Sequence, residues 1–214
     1  SFRRLRGTYC LCIIYTFMKV YKMHADDVLS EHDKKALFGN IEELLHANQL
    51  FLTAISTATP QNVAETLTEF MTTHCVPYAE YCCNHKRACE FLRDRERQDD
   101  RFKKFMADGL NAANSQGLDL SSFLLEPVQR IARYPLLIKN IINYTTDNHQ
   151  KCEYKKALQA AQQLLDTVNV AVGEHENEER LRELEFLLQW HDYKVNLTEA
   201  CKWGGKRELL VTDI

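Results

Sequence analysis

Residues 118–140 read L-D-L-S-S-F-L-L-E-P-V-Q-R-I-A-R-Y-P-L-L-I-K-N, and this stretch decides the fold. Gln116-Gly117 just before it stops whatever precedes, and Asp119 or Ser121 is placed to cap a new helix. That helix is expected from about Ser122 to Tyr144, with Pro135 in its interior. An internal proline removes a hydrogen bond and clashes with the preceding turn, at a cost of about 3 kcal/mol. A helix that carries one is expected to be kinked where packing or function requires it.

Working outward, the neighbouring segments also read as helices. A first is expected from about residue 3 to 24, and a second from Glu31 to about Ser56, where Leu37, Ile41, Leu44, Leu45 and Phe51 recur at helical spacing. Ala58 to Asn62 holds Pro60 and reads as a loop; residues 63–115 follow as two or three helices with a break at Pro77. Arg93 to Arg101 alternates in sign and reads as a solvated face. From Cys152 to about Trp190 there is no Pro, one Gly and an apolar stripe through Leu158, Leu165, Val168, Val172, Leu181, Leu184 and Leu188. That is the pattern of one long helix. The last residues, W-G-G-K-R-E-L-L-V-T-D-I, read as a turn and a short strand-like run.

Composition agrees. With 214 residues, 45% of them hydrophobic, the chain is large enough for one domain with its own core. Only 7 Gly and 4 Pro leave few turns for a sheet protein, so an all-α class is expected. The net charge of −3 is mixed along the chain and points to neither nucleic acid nor an anionic membrane as partner.

Eight cysteines without zinc-module spacing suit a reducing, cytoplasmic setting better than a disulfide framework. Cys75, Cys82 and Cys89, flanked by His74 and His85, are seven residues apart. On a helix that is roughly 10 Å between neighbours, too far to share an ion, so no metal is expected and packing is the preferred reading. Tyr9 to Met18 follows three arginines in the manner of a signal peptide, but is too short to span a bilayer and lacks a small-residue cleavage site. It is read as the first buried helix, and the sequons at Asn143 and Asn196 are discounted accordingly.

The run P-V-Q-R at 127–130 followed by R-Y-P-L-L-I-K at 133–139 is similar to the third conserved region of the Dbl homology (RhoGEF) family. L-F-G-N-I-E-E-L-L at 37–45 matches its second region. Val168-Asn169 and Glu176-Asn177 on the last helix look most like the intersectin branch. The resemblance implies an elongated helical bundle over residues 1–190, and 191–214 as a linker and the first residues of a truncated pleckstrin homology domain.

It also implies a guanine nucleotide exchange factor that binds a Rho-family GTPase and ejects its nucleotide. No cofactor, metal or catalytic residue is needed, because the work is done by binding rather than by bond chemistry. Membrane contact is expected only through the adjacent domain. Carried over, Leu125, Val128, Gln129, Ala132, Arg133 and Lys139 fall on GTPase-facing positions, and Asn169 matches a buried amide of the last helix. A mobile lysine charge suits an acidic switch residue, and an Asn offers both donor and acceptor to a strained segment. A solvated lysine and a satisfied core amide are the plain alternatives for Lys139 and Asn169. Tyr134 and Leu136 are read as packing, and Arg130 is left open. A leucine at 125 accompanies preference for the cell-division-cycle type of Rho GTPase over Rac or Rho.

The first conserved region departs from the family pattern. Aligned on Tyr21, it keeps apolar Cys10, Leu11, Ile14 and Phe17 but places Gly7 where a switch-binding glutamate belongs. Three readings stay open: lost exchange with a GTPase-binding or scaffold role, a divergent N-terminus, or a different grip. Gln129, Arg133, Lys139 and Asn169 are expected on one exposed face with Gly7 beside it. A generic spectrin-like or membrane-bending module would need repeats or a basic stripe, and neither is visible.

Overall fold

Ser30 caps the first helix among the described residues of the computed structural model, which are 28–112 and 119–188. Its hydroxyl accepts from Asp33 N at 3.1 Å while the Asp33 carboxylate accepts from Ser30 N at 3.2 Å. This reciprocal capping box satisfies two amide donors that a helix start would otherwise leave unpaired. Helix α1 then runs over Glu31–Phe38 and stops at Gly39, whose φ of 52° and ψ of −133° lie where a side chain is strained. The single helix expected from Glu31 to about Ser56 is therefore two, because α2, Ile41–Thr57, starts afresh after the break. Asn40 at the corner donates from Nδ2 to the Pro77 carbonyl at 2.9 Å, fixing the turn against the start of α4.

The loop at 58–62 is where the sequence put it. Helix α3, Val63–Glu69, passes into a π-helical turn, Phe70–His74, and Pro77 occupies the first turn of α4, Pro77–Gln98, where a proline lacks no needed N–H. Helix α5 covers Asp100–Ala112, α6 Leu120–Tyr144 and α7 Asn148–Leu188, so the class is all-α among the described residues. The first expected helix, Gly7, the Gln116-Gly117 stop and the strand-like run at the C-terminus lie outside the described residues. Within α7 the chain divides into two compact units, at Asn169 and Val170.

Helix α4 is the hub of the first unit and packs against α1, α2, α5 and α6. Its inward residues Tyr78, Tyr81, Cys82 and Leu92 are buried. Asn48 of α2 donates to Tyr78 Oη at 3.0 Å and to the Leu44 carbonyl at 2.7 Å, so a polar pair inside the core is satisfied. Arg95 departs from the solvated face expected of residues 93–101. Its guanidinium lies 3.7 Å from both Asp33 and Asp99 and over the Phe102 ring at 5.5 Å, joining α1, α4 and α5. Cys75 is buried but precedes α4 rather than sharing a helix with Cys82 and Cys89, so the helical spacing read for all three holds only for the last two.

Candidate functional site

Helix α6 is held at its start by Asp119, whose carboxylate accepts from Ser122 N at 2.9 Å and from both neighbouring serine hydroxyls. Those hydrogen bonds, from the Ser122 hydroxyl above all, hold the Asp119 carboxyl below its usual range. The cap is thus Asp119, not Ser121. Two prolines, Pro127 and Pro135, lie inside the helix where one was expected, and the element continues through both to Tyr144.

One side of α6 is core. Leu120, Phe123, Leu124, Pro127, Ile131, Tyr134 and Ile138 are buried, at the three- and four-residue spacing of a single helix face. Tyr81 of α4 donates to the Leu124 carbonyl at 2.8 Å from a buried position, pinning the helix across the core. Tyr134 closes an aromatic cluster with Phe51 of α2 and Phe70 of the π-helical turn. The two phenylalanines stack at 4.0 Å, and Tyr134 meets them edge-on at 6.2 and 5.8 Å.

Burial pushes the Tyr134 hydroxyl up, and the Arg130 charge partly offsets it. Arg130, left open from sequence, donates from Nε to Tyr134 Oη at 3.2 Å and lays its guanidinium over the same ring at 5.0 Å. It belongs to the support of the helix.

The opposite side carries the exposed and half-buried motif residues. At about 100° per residue, Leu125, Ala132, Leu136 and Lys139 fall within roughly 60° of one another, with Gln129 and Arg133 along one flank and Val128 along the other. Leu125, Ala132, Arg133, Leu136 and Lys139 are exposed; Gln129 and Val128 are half-buried. Arg133 Nη2 donates to Gln129 Oε1 at 2.5 Å, so the two side chains form one polar unit one turn apart. The packing expectation holds for Tyr134 and fails for Leu136, which is 63% exposed. Asn169 is exposed on α7, so the buried-amide reading is corrected for this chain as it stands.

A family model for the RhoGEF domain matches residues 9–169, three quarters of the chain and every motif position from Leu125 to Asn169. This chain belongs to the RhoGEF domain family. Within it, the chain is 33% identical over 164 residues to Intersectin-1 of Xenopus laevis, covering 72% of this chain and 10% of that protein. The chain spans about a tenth of the length of that relative.

Among solved structures, the Vav1 exchange factor superposes with a TM-score of 0.78 at 20% identity, covering 86% of this chain and 52% of that one. The DH/PH fragment of PDZRHOGEF in complex with human RhoA gives 0.74 at 20% identity, covering 84% of this chain and 55% of that one. These likenesses establish the Dbl homology helical fold. The match to the RhoGEF domain begins at residue 9 and leaves Gly7 outside it.

What this RhoGEF domain displays along α6 suits binding more than bond-making. Leucine, alanine and valine supply apolar area, and an amide, a guanidinium and an ammonium supply oriented donors around it. Among the described residues no cluster of three or more His, Cys, Asp or Glu side chains could hold a metal ion. The half-buried His85–Cys89 pair, with Nε2 to Sγ at 3.6 Å, lies on α4, a separate helix. No helix of the described residues is long and apolar enough to cross a membrane.

Proposed function

We propose that this domain accelerates GDP release from a Rho-family GTPase by binding the nucleotide-free form most tightly. The observation that carries the reading is the division of α6. The motif that marks the family sends one side of the helix into the core and leaves Leu125, Ala132, Arg133 and Lys139 exposed, with Gln129 half-buried beside them. Residues that folding does not use are available to a partner. The RhoA complex of the structural neighbour PDZRHOGEF supports a Rho-family partner.

The physics is linkage. A partner that prefers the empty GTPase weakens nucleotide by the same factor by which nucleotide weakens the partner, so release quickens without any acid, base or metal on this side. Lys139 provides a movable charge for an acidic switch residue, and the exposed Asn169 amide provides a donor and an acceptor for a segment held open. By the family resemblance alone, a leucine at 125 makes the cell-division-cycle type the first Rho GTPase to try. Gly7 supports a second reading, a domain that binds or scaffolds a GTPase without efficient exchange.

The test is release of a fluorescent guanine nucleotide from a panel of Rho-family GTPases, using the parent, Asn169→Ala and Gly7→Glu. Truncating an interface anchor costs about 2 kcal/mol, so Asn169→Ala should slow exchange roughly 30-fold. Acceleration by the parent that Asn169→Ala abolishes supports exchange with Gly7 in place. Acceleration only after Gly7→Glu supports the binding reading, and silence with all three overturns exchange.

A further inference from the structure

His85 and Cys89 stand one turn apart on α4, with Cys89 Sγ 3.6 Å from His85 Nε2 and both side chains half-buried. Positions i and i+4 of a helix share a face, so the backbone itself brings the two atoms together. Neither side chain belongs to the α6 surface. A thiol and an imidazole in contact are the donor pair a soft cation takes, since thiolate and imidazole both suit copper and zinc. The spacing suits it as well. Metal bonds to imidazole nitrogen and thiolate sulfur are about 2.0–2.1 and 2.3 Å, which puts two donors of one ion about 3.6 Å apart at a tetrahedral angle and about 4.4 Å apart in a line. Side-chain movement of under about 1 Å spans that range.

We infer that His85 and Cys89 form a binding site for one soft monovalent cation, copper(I), held between nitrogen and sulfur. The number of donors selects the ion. Among the described residues no third His, Cys, Asp or Glu joins the pair to make a metal cluster. Zinc takes four ligands, three or four of them from the protein, whereas a closed-shell monovalent ion is satisfied by two.

Charge selects the same ion. Imidazole is largely neutral at neutral pH. Copper(I) replaces the thiol proton: the S–H bond breaks, an S–Cu bond forms, the proton passes to solvent, and a neutral pair becomes a neutral complex. Zinc(II) in the same place would leave one positive charge in a half-buried site, and an uncompensated charge out of water is costly. The described cysteines are all free thiols, as a site for a reduced ion requires. This site is independent of the exchange reading.

The experiment titrates the reduced protein with copper(I) under anaerobic conditions, against a chelator that strips the ion from a single thiol. It counts the equivalents retained by the parent, His85→Gln, Cys89→Ser and Cys152→Ser. Cys152 is the exposed thiol of α7 and serves as the control. His85→Gln and Cys89→Ser should each retain one equivalent fewer than the parent, and Cys152→Ser as many as the parent. Zinc(II) offered alone at the same concentration should not be retained at His85 and Cys89.

Nitrogen NMR of the parent's imidazoles gives a reading that needs no variant to fold, and copper(I) should move one Nε2 resonance. Retention by His85→Gln or Cys89→Ser equal to the parent's overturns the site, and so does an imidazole spectrum that copper(I) leaves unchanged. An equivalent lost from Cys152→Ser but not from Cys89→Ser also overturns it, because the ion would then sit on an exposed thiol. Zinc(II) retained by the parent and lost with His85→Gln overturns the choice of ion.

Discussion

Replacing Tyr81 by Phe removes one oxygen from the interior and little else. The residue is 3% exposed, and its hydroxyl donates to the Leu124 carbonyl at 2.8 Å, a direct hydrogen bond between α4 and α6. The carbonyl is not orphaned by the change, because α-helical geometry also aims the Val128 N–H at it. The loss is then the net value of one hydrogen bond, about 1 kcal/mol, rather than the larger penalty of a stranded buried acceptor.

For a domain of this length that corresponds to a fall in melting temperature of about 2–4 °C. Tyr81→Ala deletes the ring as well and should cost about 3–5 kcal/mol. Urea denaturation of parent, Tyr81→Phe and Tyr81→Ala separates the two contributions, provided the slopes stay equal. A Tyr81→Phe variant as stable as the parent, or more so, would refute the role given to this bond in seating α6.

Gly39→Ala should destabilise by about 1–3 kcal/mol although its Cβ would meet no clash, only ordinary contact with the Asn84 side chain at 3.9 Å, because φ of 52° strains any side chain; chemical denaturation reads it. Asp119→Ala should cost about 1 kcal/mol at neutral pH through loss of the cap. Asp119 titrates below its ordinary value in the folded state, so its contribution is complete above the unfolded value of about 4 and disappears as pH falls through the folded one. Stability of the parent should therefore drop more steeply below pH 4 than that of Asp119→Ala, as melting curves at several pH values will show. In thiol labelling of the native protein, exposed Cys152 should react promptly and Cys75 only on unfolding, since burial both shields the Cys75 thiol and pushes its pKa up; peptide mass mapping distinguishes them.

Much of this architecture was legible because local rules carried it. Pro60 marked a loop, Pro77 a break between helices, and Asp119 or Ser121 a cap, and each acts on the backbone next to it. Gly39 was misread because the apolar period through Leu37, Ile41 and Leu44 runs across it unbroken, and periodicity does not report the sign of φ. Arg95 looked solvated since its partners, Asp33 and Phe102, lie on other helices, and the Phe51–Phe70–Tyr134 cluster is equally non-local.

On the site, the motif gave the positions and the structure gave their exposure. Leu136 was assigned to packing because a leucine at helical spacing reads the same whether it faces a core or a partner. Tyr134, two residues earlier, points the other way and is buried. Asn169 was expected buried by analogy, and it is exposed in the chain alone.

The proposed opening of a Rho-family GTPase is read by the release of fluorescent GDP into excess GTP at increasing domain concentration. Release from at least one Rho-family member should rise with domain concentration and saturate. Release at the intrinsic rate from every member, with the domain shown to be folded in the same buffer, would contradict it.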